Sequence, residues 1–356
     1  MSSVMQPVEF DYIEGIPLPS QNPGFFGHEE VIGFLQQMRA GGRLHHALLF
    51  EGVQGAGKAT LAFHLAWNIL ANADNDFMQP DVSSPAWSKI GQGAHPGLLH
   101  ISRGFDISAG KFRSAITVDD IRRITRFLQH TASDNNGWRI VIVDPADDMN
   151  RSAANALLKT LEEPPVRTLF ILVSHNPGRL LPTIRSRCQP IIFKPLGEAE
   201  MRQVLSSVAG SAGFDVNDPQ AGELISRSEG SARQAIVILT SGGLEIAGTV
   251  DDILASQTFP VSTVHRLASA LSGRTATAAV QFDFFLDYLL LGILATNARN
   301  KAVSGLPGQA GELAQFWQKI QQDTTKALAY NLDRKQLVIV VLQKVYSFLR
   351  KVMPDI

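Results

Sequence analysis

The pattern with the clearest chemical meaning is a glycine-rich loop at 52–58, with the sequence GVQGAGK. It follows a short apolar run at 47–51, which predicts a strand, and it precedes apolar residues at helical spacing. In that context glycines let backbone N–H groups surround a phosphate, and the helix N-terminus and a lysine ammonium add positive potential. The loop therefore predicts a nucleotide-phosphate site made by Gly52, Gly55, Gly57 and Lys58.

Two positions near this loop lack the groups that ATP hydrolysis needs. The residue after the lysine is Ala59, where a Ser or Thr hydroxyl would hold magnesium. Thr60 carries a hydroxyl, but it lies about 100° further round the predicted helix. Asp144 ends a second apolar run, as a metal-binding acid would, yet Pro145 stands where a glutamate would polarise water. Thr60 and Asp144 are therefore candidate members of a degenerate nucleotide site, at which nucleotide binding can survive these losses but efficient hydrolysis is not expected.

The first half of the chain alternates strand patterns with helix patterns. The predicted strands lie at 47–51, 98–102, 140–143, 169–173 and 191–193. This alternation predicts a doubly wound parallel sheet, whose ligands bind beyond the carboxyl ends of the strands. Strand patterns fade after Pro195, and the chain is predicted to be helical from about Val250 to its end. The weakly patterned stretch at 72–93 is predicted to be a loop or an insertion.

Composition excludes several classes of protein. The 356 residues suit two or three domains, and 45% hydrophobic with 18% charged residues is typical of a globular chain. A net charge of −1 argues against binding nucleic acid by bulk charge alone. Cys188 is the only cysteine, which excludes a disulfide framework and a CxxC-type zinc site. The most apolar stretch, 284–295, is too short to span a membrane, and no secretory signal is visible, so we expect a soluble cytoplasmic protein.

Three sequence blocks resemble the clamp-loader branch of the AAA+ proteins. They are RLHHA at 43–47, NALLKTLEEPP at 155–165 and LPTIRSRC at 181–188, supported by GHE at 27–29 and GSAR at 230–233. The resemblance covers about residues 25–239. Within that branch, the altered phosphate loop and the missing glutamate are similar to those of subunits that do not hydrolyse ATP.

The resemblance implies a subunit of a pentameric loader that opens a ring-shaped sliding clamp and places it on primed DNA. It implies an AAA+ P-loop core at 1–196, a small helical lid at 197–245 and an all-α collar at 246–356. The implied partners are the other loader subunits, the sliding clamp and, through the complex, primer–template DNA, with no membrane. The chain would then be part of a DNA polymerase holoenzyme without carrying the polymerase active site.

The resemblance also assigns roles to single residues. Arg187 of the Ser-Arg-Cys motif would act on the nucleotide of a neighbouring subunit, since an arginine supplied in trans neutralises charge on the transferred phosphoryl group. The alternative for Arg187 is an ion pair with a local carboxylate. Ser174 occupies a sensor position or merely ends its strand, and Arg233 is similar to the sensor arginine of the lid. Many relatives carry a four-cysteine zinc module after the first helix, but 72–93 contains no cysteine, so no metal is expected.

Two other functions remain open on the sequence. One is a working ATPase subunit of the same assembly, which requires Ala59 and Pro145 to be tolerated. The other is an unrelated P-loop enzyme such as a small-molecule kinase, which leaves the Ser-Arg-Cys block unexplained.

Overall fold

The structure is a computed structural model that divides the chain into two compact units. It describes residues 9–13, 15–72, 79–108, 110–129, 137–212, 222, 225, 228–273, 275–290, 307–330 and 332–352. The first unit is Met1–Ala221 with Ser228–Arg233, and the second is Gly222–Arg227 with Gln234–Ile356. The finer division into core, lid and collar at 196 and 245 stays a prediction.

A five-stranded parallel sheet forms the centre of the first unit. Its strands are β1 (Ala47–Glu51), β2 (Leu98–Ile101), β5 (Arg139–Val143), β6 (Thr168–Ser174) and β7 (Gln189–Ile192), and a separate two-stranded hairpin is made by β3 (Phe105–Asp106) and β4 (Lys111–Phe112). The strand order in the sheet is β2-β5-β6-β1-β7, and every pairing is parallel. The predicted P-loop sheet is therefore confirmed, and the hairpin is an element that the sequence did not predict.

Helices cover both faces of this sheet. They are α1 (Glu29–Ala40), α2 (Lys58–Leu70), α3 (Pro85–Gly91), α4 (Val118–Gln129), α5 (Arg151–Glu162) and α6 (Pro182–Arg185), and a further helix, α7 (Glu198–Ala212), follows the last strand. Successive side chains of a strand point to opposite faces. Leu48 and Phe50 of β1 accordingly join a core with α1, α2 and α3, whereas Ala47 and Leu49 join one with α4 and α5. Burial on both faces explains why the strands are continuous apolar runs.

The prediction of a loop or insertion at 72–93 was wrong for its second half. Ser84 caps α3 by accepting a hydrogen bond from the Trp87 N–H at 3.2 Å, and Pro85 occupies the first helical turn. Trp87 and Ile90 are buried, and the Trp67 ring N–H of α2 donates to the Ser84 hydroxyl at 3.0 Å. Apolar burial thus makes this segment part of the first unit's core. Residues 73–78 lie outside the described part of the chain.

Among the described residues of the second unit, all regular secondary structure is helical. A helix α8 (Ala232–Thr240) begins in the first unit and continues into the second, where α9 (Gly243–Ala255), α10 (Val261–Leu271), α11 (Ala276–Asp287), α12 (Pro307–Ala329) and α13 (Arg334–Val352) follow. Val338, Val341 and Leu342 of α13 are buried, while Val340 is 42% exposed. None of the described helices is long and apolar enough to cross a membrane.

Candidate functional site

The glycine-rich loop lies at the carboxyl end of β1 and leads into α2, as predicted. Backbone geometry there requires glycine at three positions, Gly52, Gly55 and Gly57. Gly57 has φ 89° immediately before Lys58, and Gly52 has φ 151°. A Cβ at Gly52 would stand 2.3 Å from the Phe193 carbonyl oxygen. The loop therefore keeps the backbone shape of a phosphate loop, and the structure brings Gly52, Gly55, Gly57 and Lys58 together.

Lys58 is turned towards its own loop. Its side-chain ammonium donates to the carbonyl oxygens of Gly52 and Val53, both at 2.6 Å, and the residue is 2% exposed. Burial lowers the pKa of Lys58 to about 8, while the nearby carboxylates of Asp144 and Asp147 oppose that shift. The lysine ammonium thus bonds two carbonyls of its own loop, and one of them, that of Val53, also accepts from the Ala56 N–H at 3.4 Å.

Residues 231–233 cover the outer face of the loop. The Ser231 hydroxyl donates to the Gln54 carbonyl at 2.7 Å, and the Ala232 N–H donates to the Gly55 carbonyl at 3.1 Å. A Cβ at Gly55 would stand 2.5 Å from the Ser231 hydroxyl oxygen and 2.6 Å from the Arg233 Cβ. No room remains beside Gly55 in this arrangement.

Arg233 is bound to the N-terminal segment of the chain. Its Nη2 lies 2.5 Å from an Asp11 carboxylate oxygen, and its Nη1 donates to the Asp11 carbonyl at 2.9 Å. The Gln54 side-chain amide donates to the other Asp11 carboxylate oxygen at 2.8 Å. Asp11 therefore joins the predicted sensor arginine to the glycine-rich loop, and no local sequence signal pointed to it.

The acidic residues after β5 are arranged around one carboxylate that sequence reasoning did not assign. Asp147 accepts a hydrogen bond from the Ser174 hydroxyl at 2.6 Å and others from the backbone N–H groups of His175 and Asn176. The hydroxyl of the predicted sensor Ser174 is thus bound to its own chain. Asp144 follows β5 directly, and burial raises its pKa to about 7 despite the positive charge of Lys58.

The residues present do not fit a magnesium–nucleotide centre. Ala59 offers no hydroxyl, and Pro145 offers no carboxylate. Thr60 is half-buried on α2, and among the described contacts its side chain bonds neither Asp144 nor Lys58. No group of three or more His, Cys, Asp or Glu residues able to hold a metal ion occurs among the described residues.

Arg187 lies at the opposite end of the sheet. It follows α6 and comes two residues before β7, at the amino ends of the strands. Its Nη2 is 2.5 Å from the Glu162 carboxylate, and its Nη1 donates to the Thr183 carbonyl at 2.9 Å. The arginine side chain remains 35% exposed and borders an open pocket with His45, His46, Glu162 and Gln189.

Comparison with known proteins agrees with this geometry over the first unit. Residues 27–197 match the model of the family described as "DNA polymerase III, delta subunit". The chain is 38% identical to DNA polymerase III subunit delta' of Pseudomonas aeruginosa over 155 residues, which are 42% of this chain and 43% of that protein. It is 36% identical to the delta' subunit of Bacillus subtilis over 154 residues, 43% of this chain and 44% of that protein.

Further relatives come from the tau subunits and from a solved structure. The tau subunit of Escherichia coli is 30% identical over 239 residues, which are 64% of this chain and 35% of that protein. The matched stretch thus spans less than half the length of each of these curated relatives. A solved gamma-subunit-related protein of Thermotoga maritima covers 89% of this chain and 98% of its own, with 16% identity and a TM-score of 0.45.

The family match covers the part of the chain that forms the parallel sheet, the glycine-rich loop and the Arg187 region. Over residues 27–197 the chain is therefore similar to the DNA polymerase III delta-subunit family, and part of the chain is similar to the delta' subunits of two bacteria.

Proposed function

We propose that this chain is the delta' subunit of a bacterial DNA polymerase III clamp loader, which helps to load the sliding clamp onto primed DNA. In this role it hydrolyses no ATP itself and supplies Arg187 to the nucleotide site of a neighbouring subunit. Its partners are the gamma/tau and delta subunits, the sliding clamp and, through the complex, primer–template DNA. A cytoplasmic location follows from this role.

One observation carries the proposal: Arg187 and the chain's own phosphate loop lie at opposite ends of the sheet. The loop follows the carboxyl end of β1, and Arg187 precedes the parallel β7 that pairs with β1. Five residues of strand, about 16 Å at roughly 3.3 Å per residue, separate the two ends. Arg187 therefore cannot serve its own loop, and a phosphate that it contacts must belong to another chain.

Head-to-tail assembly brings such opposite ends together. In a heterologous ring the surface of one subunit faces a different surface of the next. An arginine on one surface then lies against the nucleotide site of the neighbour. There the planar guanidinium can donate two hydrogen bonds to phosphate oxygens and stabilise the charge that develops during phosphoryl transfer.

The chain's own loop supports the non-hydrolysing role. Lys58, Ser174 and Arg233 would face phosphate in a working site, but each of these side chains bonds to its own chain. Ala59 and Pro145 remove the magnesium hydroxyl and the water-polarising carboxylate. The alternative of a gamma/tau-type ATPase subunit therefore makes two demands. The internal bonds of these side chains must break when nucleotide binds, and other groups must replace the missing hydroxyl and carboxylate.

The test is ATP turnover by a complex reconstituted with gamma/tau and delta subunits, the clamp and primed DNA. Arg187→Ala should lower the turnover of subunits that were not mutated, while folding and assembly stay intact. An arginine finger is worth about 10³–10⁵ in rate at one site, so losing one of several sites should give a partial fall. Arg187→Lys should not restore the rate, because a lysine lacks the planar fork.

The matched control is Arg185→Ala, which removes the same charge from an exposed side chain two residues away. The control complex should turn over ATP like the wild type. Unchanged turnover with Arg187→Ala would refute the trans-acting role. Magnesium-dependent ATP turnover by the isolated chain, abolished by Lys58→Ala, would favour the gamma/tau-type alternative.

A further inference from the structure

We propose that Glu162 is a positioning residue for Arg187: its carboxylate holds the guanidinium in the orientation that reaches a neighbour's phosphate. This inference rests on the trans-acting role of Arg187 proposed above. It concerns a carboxylate at the end of α5 that forms no part of the nucleotide site described for this chain.

Both terminal nitrogens of Arg187 are bound within the chain. Glu162 Oε1 lies 2.5 Å from Arg187 Nη2, and the Thr183 carbonyl accepts from Nη1 at 2.9 Å. The two acceptors come from different elements, the end of α5 and the short helix α6. A side chain bound at both terminal nitrogens has little freedom to rotate.

Counting donors shows that these bonds leave the arginine able to act. A guanidinium carries five N–H donors; Glu162 and Thr183 each take one, and the Ser186 hydroxyl accepts a long third bond at 3.5 Å. About two donors therefore remain, which suffices for a two-bond contact with phosphate oxygens. The local bonds do not have to break when the phosphate is bound, so Glu162 holds the arginine ready for contact.

The chain also holds Glu162 itself in place. Glu162 is the last residue of α5, where helix carbonyls lack partners within the helix. The His46 ring Nε2–H, just before β1, donates to the Leu161 carbonyl at 3.1 Å. Leu161 is 1% exposed. This hydrogen bond connects the last turn of α5 to the segment before β1. The position of the Glu162 backbone, from which the carboxylate extends, is therefore fixed.

A purely stabilising ion pair is the competing explanation. Glu162 and Arg187 side chains are 48% and 35% exposed, and exposed ion pairs contribute little to folding stability. A pair of this kind has little value to the fold alone. Pre-orienting a group for a reaction has a larger effect, because small misplacements of catalytic groups cost rate steeply.

The experiment is a double-mutant cycle in the reconstituted complex, with kcat and KM for ATP measured in the presence of clamp and primed DNA. The variants are Glu162→Ala, Glu162→Gln, Arg187→Ala and the double variant Glu162→Ala with Arg187→Ala. The matched control is Glu163→Gln, since the neighbouring glutamate is exposed and its side chain makes no bond among the described contacts. Size exclusion checks that each variant assembles.

We expect Glu162→Ala to lower the part of kcat that depends on Arg187 by about threefold to tenfold, with KM nearly unchanged. Glu162→Gln keeps an oxygen acceptor and should fall between Glu162→Ala and the wild type. The double variant should equal Arg187→Ala alone, because residues that act through one contact are not additive. Glu163→Gln should behave as the wild type.

Two outcomes overturn the inference while the proposed function stands. In the first, Arg187→Ala lowers turnover but Glu162→Ala does not. In the second, Glu162→Ala lowers turnover equally in the Arg187→Ala background, which would show a structural role independent of the arginine. Unchanged turnover with Arg187→Ala itself refutes the trans-acting role, and the inference about Glu162 then fails with it.

Discussion

The two ends of the central sheet differ in what holds them together. At the carboxyl end, the phosphate loop is fixed by glycine backbone geometry, by the buried Lys58 ammonium and by Asp147, which accepts three hydrogen bonds. At the amino end, Arg187 and Glu162 form a partly exposed pair beside an open pocket. The carboxyl end, which lacks the groups for hydrolysis, is thus bonded tightly within the chain, whereas the amino end presents charges that are accessible to solvent.

Under the proposed function, this difference teaches that likeness to a catalytic motif and catalytic capacity can separate within one chain. The loop retains its shape because Gly52, Gly57 and Lys58 are needed by the fold around them. On this view, substitutions at the carboxyl end change mainly the free energy of unfolding, and substitutions at the amino end change mainly the turnover of the complex. Three measurements test that division.

The largest expected effect on stability comes from the glycine with the least space. Gly52→Ala should lower the free energy of unfolding by about 2–4 kcal/mol, because a Cβ would meet the Phe193 carbonyl oxygen at 2.3 Å in a strained backbone conformation. Urea unfolding followed by circular dichroism measures this change. The matched control is Gly33→Ala in α1, where no atom lies within 4 Å.

The glycine control should show no loss and a gain of up to about 1 kcal/mol, since alanine is favoured over glycine inside a helix. Equal stability of the Gly52→Ala variant and the wild type would show that the loop's shape is not required by packing. The loop would then have to be explained by a ligand.

The second test concerns the pH dependence of stability that arises from Asp144, whose pKa is raised by burial. The folded-state pKa of Asp144 is about 7, above its ordinary value of 3.8. Between these values the folded protein holds one more proton than the unfolded chain, so the free energy of unfolding falls as pH rises through this window. Asp144→Asn removes the effect. It should stabilise the protein by about 1–3 kcal/mol at pH 8, and by less as pH falls towards 4.

Urea unfolding at several pH values measures how the free energy of unfolding of Asp144→Asn depends on pH. The control is Asp252→Asn, which changes an exposed carboxylate. The control should change stability little and without a pH trend of this kind. A variant Asp144→Asn that is less stable than the wild type at pH 8 would show that the ionised carboxylate contributes to the fold, for example by pairing with Lys58.

The smallest effect is expected at the amino end of the sheet. His46→Phe keeps a ring but loses the hydrogen bond to the Leu161 carbonyl, and it should cost about 0.5–1.5 kcal/mol. His265→Phe, on an exposed ring of the second unit, is the control and should cost less. A loss larger than that of Gly52→Ala would reverse the comparison of the two ends.

Local patterns predicted most of the sheet because each strand is a short apolar run covered on both faces. The strand predicted at 169–173 is observed as Thr168–Ser174. The helix α3 was missed although Ser84 followed by Pro85 is a helix-start signal, because the apolar residues behind it are few.

The contacts around both candidate sites could not be predicted from local pattern. Arg233 and Asp11 are 222 residues apart in sequence, and His46 and Leu161 are 115 apart. Hydrophobic periodicity predicts which side chains of a helix or strand are buried. It does not predict which charged group or carbonyl from a distant part of the sequence will contact them. The sequence allowed an ion pair between Arg187 and a local carboxylate but did not indicate which one, and the structure identifies Glu162.

The tryptophans give the two units separate optical reporters. Trp67 and Trp87 meet edge to face with ring centroids 6.5 Å apart, and the Trp87 ring lies 5.5 Å from that of His64. Of the four tryptophans only Trp317 belongs to the second unit. Fluorescence emission from a variant that retains Trp317 alone would follow the second unit, and emission from a variant lacking it would follow the first. Comparing the two emission curves during denaturation would show whether the units unfold together or in sequence.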